Sequence, residues 1–164
     1  ITCRDWSSDV CSSDLVPSDG SFIDFGSGAG LPGIPLSIVR PDLDCVLVES
    51  ISKKCRFLSS AIDMLGLPRA VALNTRMENI DSSHDGCYDF VVTRATVKLL
   101  RFVVLASRFL KKDGALVAVK SENIDNELHD LAHMVDHTLF HIDVRRPVSF
   151  DTVRTGTVVV ITKR

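Results

Sequence analysis

The chain has 164 residues, is 45% hydrophobic and carries a formal charge of −2 at neutral pH, which suits one domain with one continuous core and is too short for two. No run of eighteen apolar residues appears, and the start lacks a charged segment leading into an apolar stretch and a small-residue cleavage site. Neither a membrane span nor secretion is therefore indicated. The near-neutral balance also lacks the basic footprint of tight, nonspecific nucleic-acid binding, so an RNA partner has to be argued from other features.

Ile1 to Leu15 is Ser/Asp-rich, repeats Ser-Ser-Asp and has no apolar periodicity. It reads either as a translated sequencing adapter, since Asp-Val-Cys-Ser-Ser-Asp-Leu is what a common library adapter encodes, or as a natural disordered tail. Setting it aside removes one of 19 basic and three of 21 acidic residues, leaving 18 of each. Residues 16–164 are expected to form the single domain.

From Ser21 onward, short apolar runs alternate with helix-like stretches, the signature of βαβ units and a parallel sheet. Phe22 to Phe25 predicts a buried strand running into Gly26-Ser27-Gly28-Ala29-Gly30-Leu31-Pro32-Gly33, and Ile34 to Arg40 a helix closed by Pro41. Cys45 to Glu49 is the second strand, and Lys53 to Leu65 an amphipathic helix with Phe57, Leu58, Ile62 and Leu65 on one side and Gly66 as its cap. Ala70 to Leu73, Tyr88 to Thr93 and Ala115 to Lys120 supply three more parallel strands, with a helix over Val97 to Leu110 before a turn at Lys112-Asp113-Gly114. After a helix over Ile124 to Asp136, Thr138 to Val144 and Thr157 to Thr162 face each other across a loop containing Pro147. With no helix between them, they should pair antiparallel at one sheet edge. The expected fold is a doubly wound, Rossmann-like α/β domain with a mostly parallel seven-stranded sheet and an antiparallel edge.

The chemistry concentrates at Asp24-Phe25-Gly26-Ser27-Gly28-Ala29-Gly30. Glycines at a strand-to-helix junction let the backbone turn tightly and approach a ligand beside unpaired helix N–H groups. Glu49 ends the next strand 23 positions after Gly26, where an acidic side chain accepts hydrogen bonds from ribose hydroxyls. Loop and acid together point to an adenosine-containing cofactor. Gly28, Gly30 and Gly33 also satisfy the dinucleotide pattern, so an NAD-dependent oxidoreductase is a second reading. Two features favour S-adenosylmethionine: Asp24 stands two residues before the first glycine, able to serve the cofactor's amino acid end, and Pro32 and Pro35 stiffen a helix start where a pyrophosphate needs free N–H donors. A tight turn without a ligand is the bland alternative for the glycines, and a solvated strand end for Glu49.

The stretch Asp24 to Leu36, with Arg40-Pro41, Glu49-Ser50, Lys53-Lys54-Cys55-Arg56-Phe57-Leu58, Arg76-Met77-Glu78 and Thr93-Arg94-Ala95, resembles the RsmG/GidB family. Gly30-Leu31-Pro32-Gly33-Ile34-Pro35-Leu36 is the most diagnostic part, and the similarity runs from about Ser21 to Lys163. The resemblance implies a class I, cytoplasmic methyltransferase that moves a methyl group from S-adenosylmethionine to a guanine N7 in the 530 loop of 16S ribosomal RNA, leaving S-adenosylhomocysteine. It implies that Gly26 and Leu31 line the cofactor pocket, that Gly28 belongs to the same loop, that Glu49 holds the ribose and that Met77 and Glu78 flank the adenine. Arg94, ending the fourth strand, is placed by it at the mouth shared by cofactor and substrate, as a positioning candidate and not an assigned catalytic group. Core packing for Met77 and a surface ion pair for Arg94 are the structural alternatives.

Absences agree with that reading. No Asn/Asp-Pro-Pro-aromatic motif of exocyclic-amine methyltransferases follows the fourth strand, and no Pro-Cys nucleophile occurs. Guanine N7 is a lone-pair nucleophile without a proton, so transfer needs positioning and no general base. The chain departs from the family in three respects: an N-terminal helical segment that covers the cofactor is expected to be missing, Ser121 stands where glycine commonly follows Lys120, and no basic tail follows Arg164.

Among the five histidines, His84, His129, His133, His137 and His141, a run from His129 to His137 keeps a helical spacing of four, which reads as a solvated helix face rather than a metal site. Cys45, Cys55 and Cys87 have no metal-ligand spacing and are expected as reduced thiols, while Cys3 and Cys11 fall in the segment set aside. Lys53, Lys54, Arg56, Lys98, Arg101, Arg145, Arg146 and Arg154 could touch phosphates, but none is assigned as a site. The expected partner is small-subunit ribosomal RNA or the subunit itself, the expected state a monomer. A cofactor-binding fragment without activity is the remaining alternative.

Overall fold

The computed structural model describes residues 18–94, 97–120, 124–136, 138–145 and 157–164. The segment 1–15 and the loop around Pro147, both singled out in the sequence, lie outside these residues.

Seven strands make one sheet in the order β3-β2-β1-β4-β5-β7-β6. They are β1 (Ser21–Phe25), β2 (Asp44–Val48), β3 (Ala70–Leu73), β4 (Tyr88–Arg94), β5 (Leu110–Lys120), β6 (Phe140–Arg145) and β7 (Thr157–Lys163). The first five pair in parallel. β7 pairs antiparallel with both β5 and β6, the antiparallel edge that the helix-free connection predicts.

Among the described residues, four helices cover the sheet: α1 (Gly33–Val39), α2 (Ser52–Leu65), α3 (Leu99–Ala106) and α4 (Asp125–Met134). Alternate strand residues feed opposite faces. Phe22, Leu47 and Val92 pack with Ile34 and Leu36 of α1 and with Leu58 and Ile62 of α2. Ile23, Phe25 and Val91 pack with Leu99 and Phe102 of α3 and with Leu131 of α4. The domain is therefore doubly wound, with two cores divided by a sheet whose central strands are apolar on both sides. Phe22 and Phe90, register partners on β1 and β4, stack with centroids 4.8 Å apart.

Gly66 closes α2 in the left-handed conformation at φ 61°. It donates to the carbonyls of Asp63 and Ile62, the cap its position predicts.

The largest difference from the sequence reading lies between α3 and β5. The helix expected over Val97 to Leu110 spans only Leu99–Ala106 and tightens into a 3-10 turn over Ser107–Phe109. β5 then begins at Leu110, which pairs with Tyr88, and the expected turn at Lys112-Asp113-Gly114 becomes an irregularity within the strand. Asp113 adopts φ 63° there and the register shifts between Tyr88 and Phe90. Burial decides the matter, since Phe109 and Leu110 are sealed in the core and helical spacing alone cannot tell whether such residues extend a helix or start a strand.

Candidate functional site

Parallel strands aim their carboxyl ends at one edge of the sheet, and the loops leaving β1, β2, β3 and β4 meet there. At that edge the amides of Gly26 and Ser27 both donate to the Val48 carbonyl, at 2.9 and 3.2 Å, which ties the glycine loop to the end of β2. Gly28 takes φ 58°, a conformation a side chain disfavours, and this turn points its N–H at the Glu49 carboxylate, Oε2 accepting at 3.1 Å. Oε1 of Glu49 accepts from the Ile51 amide at 2.9 Å and from the Ser50 hydroxyl at 3.5 Å. Glu49 is 6% exposed and its Oε2 keeps one lone pair unused. Acid and loop, 21 residues apart in sequence, form one bonded unit.

Asp24 lies beneath the loop, fully buried. Its Oδ2 accepts from the Gly33 amide at 3.0 Å, while Oδ1 has no hydrogen-bond partner. Ser27 Oγ donates to the Asp24 carbonyl at 2.9 Å, closing the turn from the other side. Burial drives the Asp24 carboxyl up to about 7, against the opposing pull of the Gly33 amide and the Arg94 charge. Gly33 is glycine for want of room, because a Cβ there would lie 2.1 Å from Leu47 Cδ2 and 2.8 Å from Asp24 Oδ2. The strand carboxylate is thus locked to the first turn of α1.

The other expected residues stand around this unit. Leu31 is 39% exposed at the loop surface. Met77, half-buried, and Glu78, exposed, open a single 3-10 turn over Met77–Asn79 after β3. Glu78 pairs with Arg101 at 2.8 Å; its own backbone N–H and then this guanidinium hold its carboxyl below the usual range. Arg94 is the exposed last residue of β4. The fold brings Asp24, Gly26, Gly28 and Glu49 into one hydrogen-bonded assembly. Leu31 joins it through its own amide, which donates to the Ser27 carbonyl at 3.1 Å. Among the described residues, no side-chain hydrogen bond connects Met77, Glu78 or Arg94 to it.

Several polar residues at this edge escaped the sequence reading. Asn74 donates to the Glu49 carbonyl at 2.8 Å and accepts from Ser52 Oγ at 2.8 Å, fastening the start of α2 to the end of β2. Thr93, fully buried, donates to the Phe25 carbonyl at 2.9 Å and holds the ends of β4 and β1 together. Lys120 ends β5 with its side chain 7% exposed and pairs with Glu127 at 3.0 Å. Its Nζ also donates to the Val97 carbonyl, while the same Glu127 oxygen accepts from the Leu99 amide at 2.8 Å. Lys98, the N-cap of α3, offers no side-chain cap, so a carboxylate from α4 satisfies that helix start instead. Burial works against the Glu127 charge, yet Lys120 and the Leu99 amide hold its carboxyl below the usual range. A lone lysine closing the apolar run Ala115 to Val119 was the available signal; its partner seven residues on was not deducible from spacing.

Among the described residues, no group of three or more His, Cys, Asp or Glu gathers as a metal ion would need. His129 and His133 meet Nε2 to Nε2 at 3.1 Å on the exposed face of α4, and His137 lies outside the described residues. Cys45, Cys55 and Cys87 are free thiols, with burial pushing the first two up. No helix of the described residues is long and apolar enough to cross a membrane.

The profile of the family described as rRNA small subunit methyltransferase G, GidB, matches residues 9–144. Its first residues fall inside the segment 1–15 that the sequence reading set aside. A protein of that name from Acidothermus cellulolyticus is 39% identical over 122 residues, covering 74% of this chain and 53% of the relative. Another from Nitrosococcus oceani is 44% identical over 109 residues, covering 66% and 50%. The chain spans about half the length of the curated relatives it matches. Among solved structures, a tRNA (m1A58) methyltransferase from Aquifex aeolicus superposes with a TM-score of 0.77 at 12% identity, over 100% of this chain and 70% of that one. A Streptococcus mutans putative methyltransferase in complex with SAH gives 0.72 at 11% identity, over 100% and 99%. At such identities the likeness concerns the fold, a methyltransferase sheet with its antiparallel edge.

Proposed function

The chain belongs to the GidB family, rRNA small subunit methyltransferase G, and on that footing we propose that it binds S-adenosylmethionine and methylates N7 of a guanine in the 530 loop of small-subunit ribosomal RNA. The observation that carries this reading is the Glu49 carboxylate joined to the Gly28 amide at 3.1 Å. That junction sets a ribose acceptor against a glycine turn open to a ligand, and the spare lone pair of Oε2 suits a hydroxyl donor. The orphaned, buried Oδ1 of Asp24 fits a cationic ligand group close above the loop, because the carboxyl's burial cost falls when a positive charge approaches. The cofactor set is Asp24, Gly26, Gly28, Leu31, Glu49, Met77, Glu78 and Arg94, with Asp24 acting through the loop it braces.

When bound, the cofactor supplies an electrophilic methyl on a sulfonium. The protein's share is then positioning: Glu49 and the loop amides orient, the 3-10 turn at Met77–Asn79 bounds the adenine side, and Arg94 at the end of β4 orients the base. No proton has to leave guanine N7, so no general base is assigned.

The NAD reading loses support at Gly33. Its amide, the third of the dinucleotide pattern, is already committed to Asp24 at 3.0 Å, and α1 runs for only seven residues. A pyrophosphate would find the amides of that helix start occupied or replaced by proline. A second reading is binding of the cofactor without transfer. A cytoplasmic monomer is proposed with either.

Titration calorimetry with S-adenosylhomocysteine is expected to give saturable binding with one site; a folded chain that takes up NADH and not S-adenosylhomocysteine refutes the assignment. Transfer of labelled methyl to small ribosomal subunits separates the catalyst from the mere binder.

A further inference from the structure

We propose that the outward face of α2 is an RNA-docking surface, on which Lys53, Lys54 and Arg56 hold backbone phosphates and Phe57 offers a platform for an unpaired base; this rests on the ribosomal RNA reading above. Successive helix residues turn by about 100°. Cys55, Leu58 and Ile62 face the sheet, which leaves Lys53, Arg56 and Phe57 pointing directly away, with Lys54 at the flank. Phe57 is nevertheless 55% exposed, on a helix face where polar residues belong.

The charges around it are arranged for a partner. At the amino edge of the sheet, Arg40, Arg69, Arg108 and Lys111 each pair with an aspartate. At the carboxyl edge, Lys53, Lys54 and Arg56, like Arg76 after β3 and Lys98 before α3, make no ion pair with a described residue. Glu49, the acid nearest the start of α2, is turned inward onto backbone amides. Its charge is spent on the loop, so the cations on α2 are left to a ligand of opposite sign. α2 starts three residues after Glu49, so a strand whose guanine enters near Arg94 can run past the ribose acid onto this face. Cations flanking an exposed aromatic ring are the means by which single-stranded RNA is held without regard to sequence.

The test is fluorescence anisotropy of a labelled hairpin carrying the small-subunit 530-loop sequence, titrated at several salt concentrations. The variants are Lys53→Glu/Lys54→Glu/Arg56→Glu, Phe57→Ala and, at the amino edge, Lys112→Glu. S-adenosylhomocysteine affinity, unchanged, certifies that each is folded. The triple variant is expected to bind at least about tenfold more weakly and to lose about 2 from the slope of log affinity against log salt, as three phosphate contacts to a single strand require. Phe57→Ala should weaken binding with the slope kept, and Lys112→Glu should change neither. Wild-type binding with an unaltered triple variant overturns the docking face alone. No binding by the wild type overturns both this face and the ribosomal RNA reading. If the triple variant binds the hairpin normally but fails on intact subunits, the face meets protein and the proposal falls.

Discussion

At the amino edge of the parallel strands, Arg40, Arg69, Arg108 and Lys111 meet aspartates at 2.6 to 3.1 Å, and Gly66 and Gly86 turn in open space. At the carboxyl edge Gly30 and Gly33 are hemmed in, Asp24 is buried with an orphaned oxygen, and the acids Glu49 and Glu127 accept from backbone amides. At the first edge these four cations are neutralised within the chain. The second keeps polar capacity at a cost in stability, as sites that must receive a ligand do.

Glycine substitutions split the two edges most widely. Gly33→Ala is expected to cost about 3 kcal/mol or to prevent folding, since its methyl must displace Leu47 and the Asp24 carboxylate. Gly86→Ala meets nothing within 4 Å and bears only the cost of its positive φ, about 1 kcal/mol. Denaturant unfolding of the two variants would erase the contrast if their losses were equal.

The buried carboxyl comes next. Asp24 is neutral in both folded and unfolded chains below about pH 4. Between there and its folded value of about 7 the unfolded chain sheds its proton first, so stability falls by up to about 1.4 kcal/mol per pH unit across that window. Asp24→Asn should flatten the decline, read from melting temperatures at pH 5 and pH 8; parallel profiles for wild type and variant would show the burial cost to be absent.

Lys120→Met strands the Glu127 carboxylate beside the start of α3 and should cost about 2 kcal/mol, a buried-pair loss discounted for the partial exposure of Glu127. Lys111→Met, its half-exposed counterpart at the amino edge, should cost about 0.5 kcal/mol. Chemical denaturation of both, with Glu127→Gln added to Lys120→Met to relieve the stranded charge, checks the sign and the mechanism.

Two further effects concern ligands. Glu49→Ala should weaken S-adenosylhomocysteine binding by about 1 to 3 kcal/mol while the fold persists, and unchanged calorimetric affinity would remove Glu49 from the ribose. Arg94→Lys keeps the charge but loses paired hydrogen bonds. Single-turnover methyl transfer should fall by at least about tenfold, or roughly 1.4 kcal/mol, with cofactor affinity held. A variant with wild-type rate and affinity would return Arg94 to the ordinary surface.

The strands and the antiparallel edge were legible in the sequence because apolar alternation and glycine or proline punctuation are local signals. Of the candidate site, the contact between the glycine turn and Glu49 was legible, because their spacing follows from one βαβ unit. The early end of α3 was not, because Leu105, Phe109 and Leu110 keep an apolar rhythm that both a helix and a strand can satisfy, and only packing chose. Lys120, Glu127 and Asn74 were missed because each acts on a backbone group far away in the chain.

By itself, the sequence determined the doubly wound order of elements, the glycine junction and the acid that follows it, since each depends on neighbours within a turn or a crossover. Tertiary structure alone decided that Asp24 braces the loop from below, that Glu127 caps α3 from α4 while pairing with Lys120, and that Lys53, Lys54 and Arg56 on α2 make no ion pair with a described residue. Burial and long-range hydrogen bonds set those outcomes, and neither is a property of any short stretch of chain.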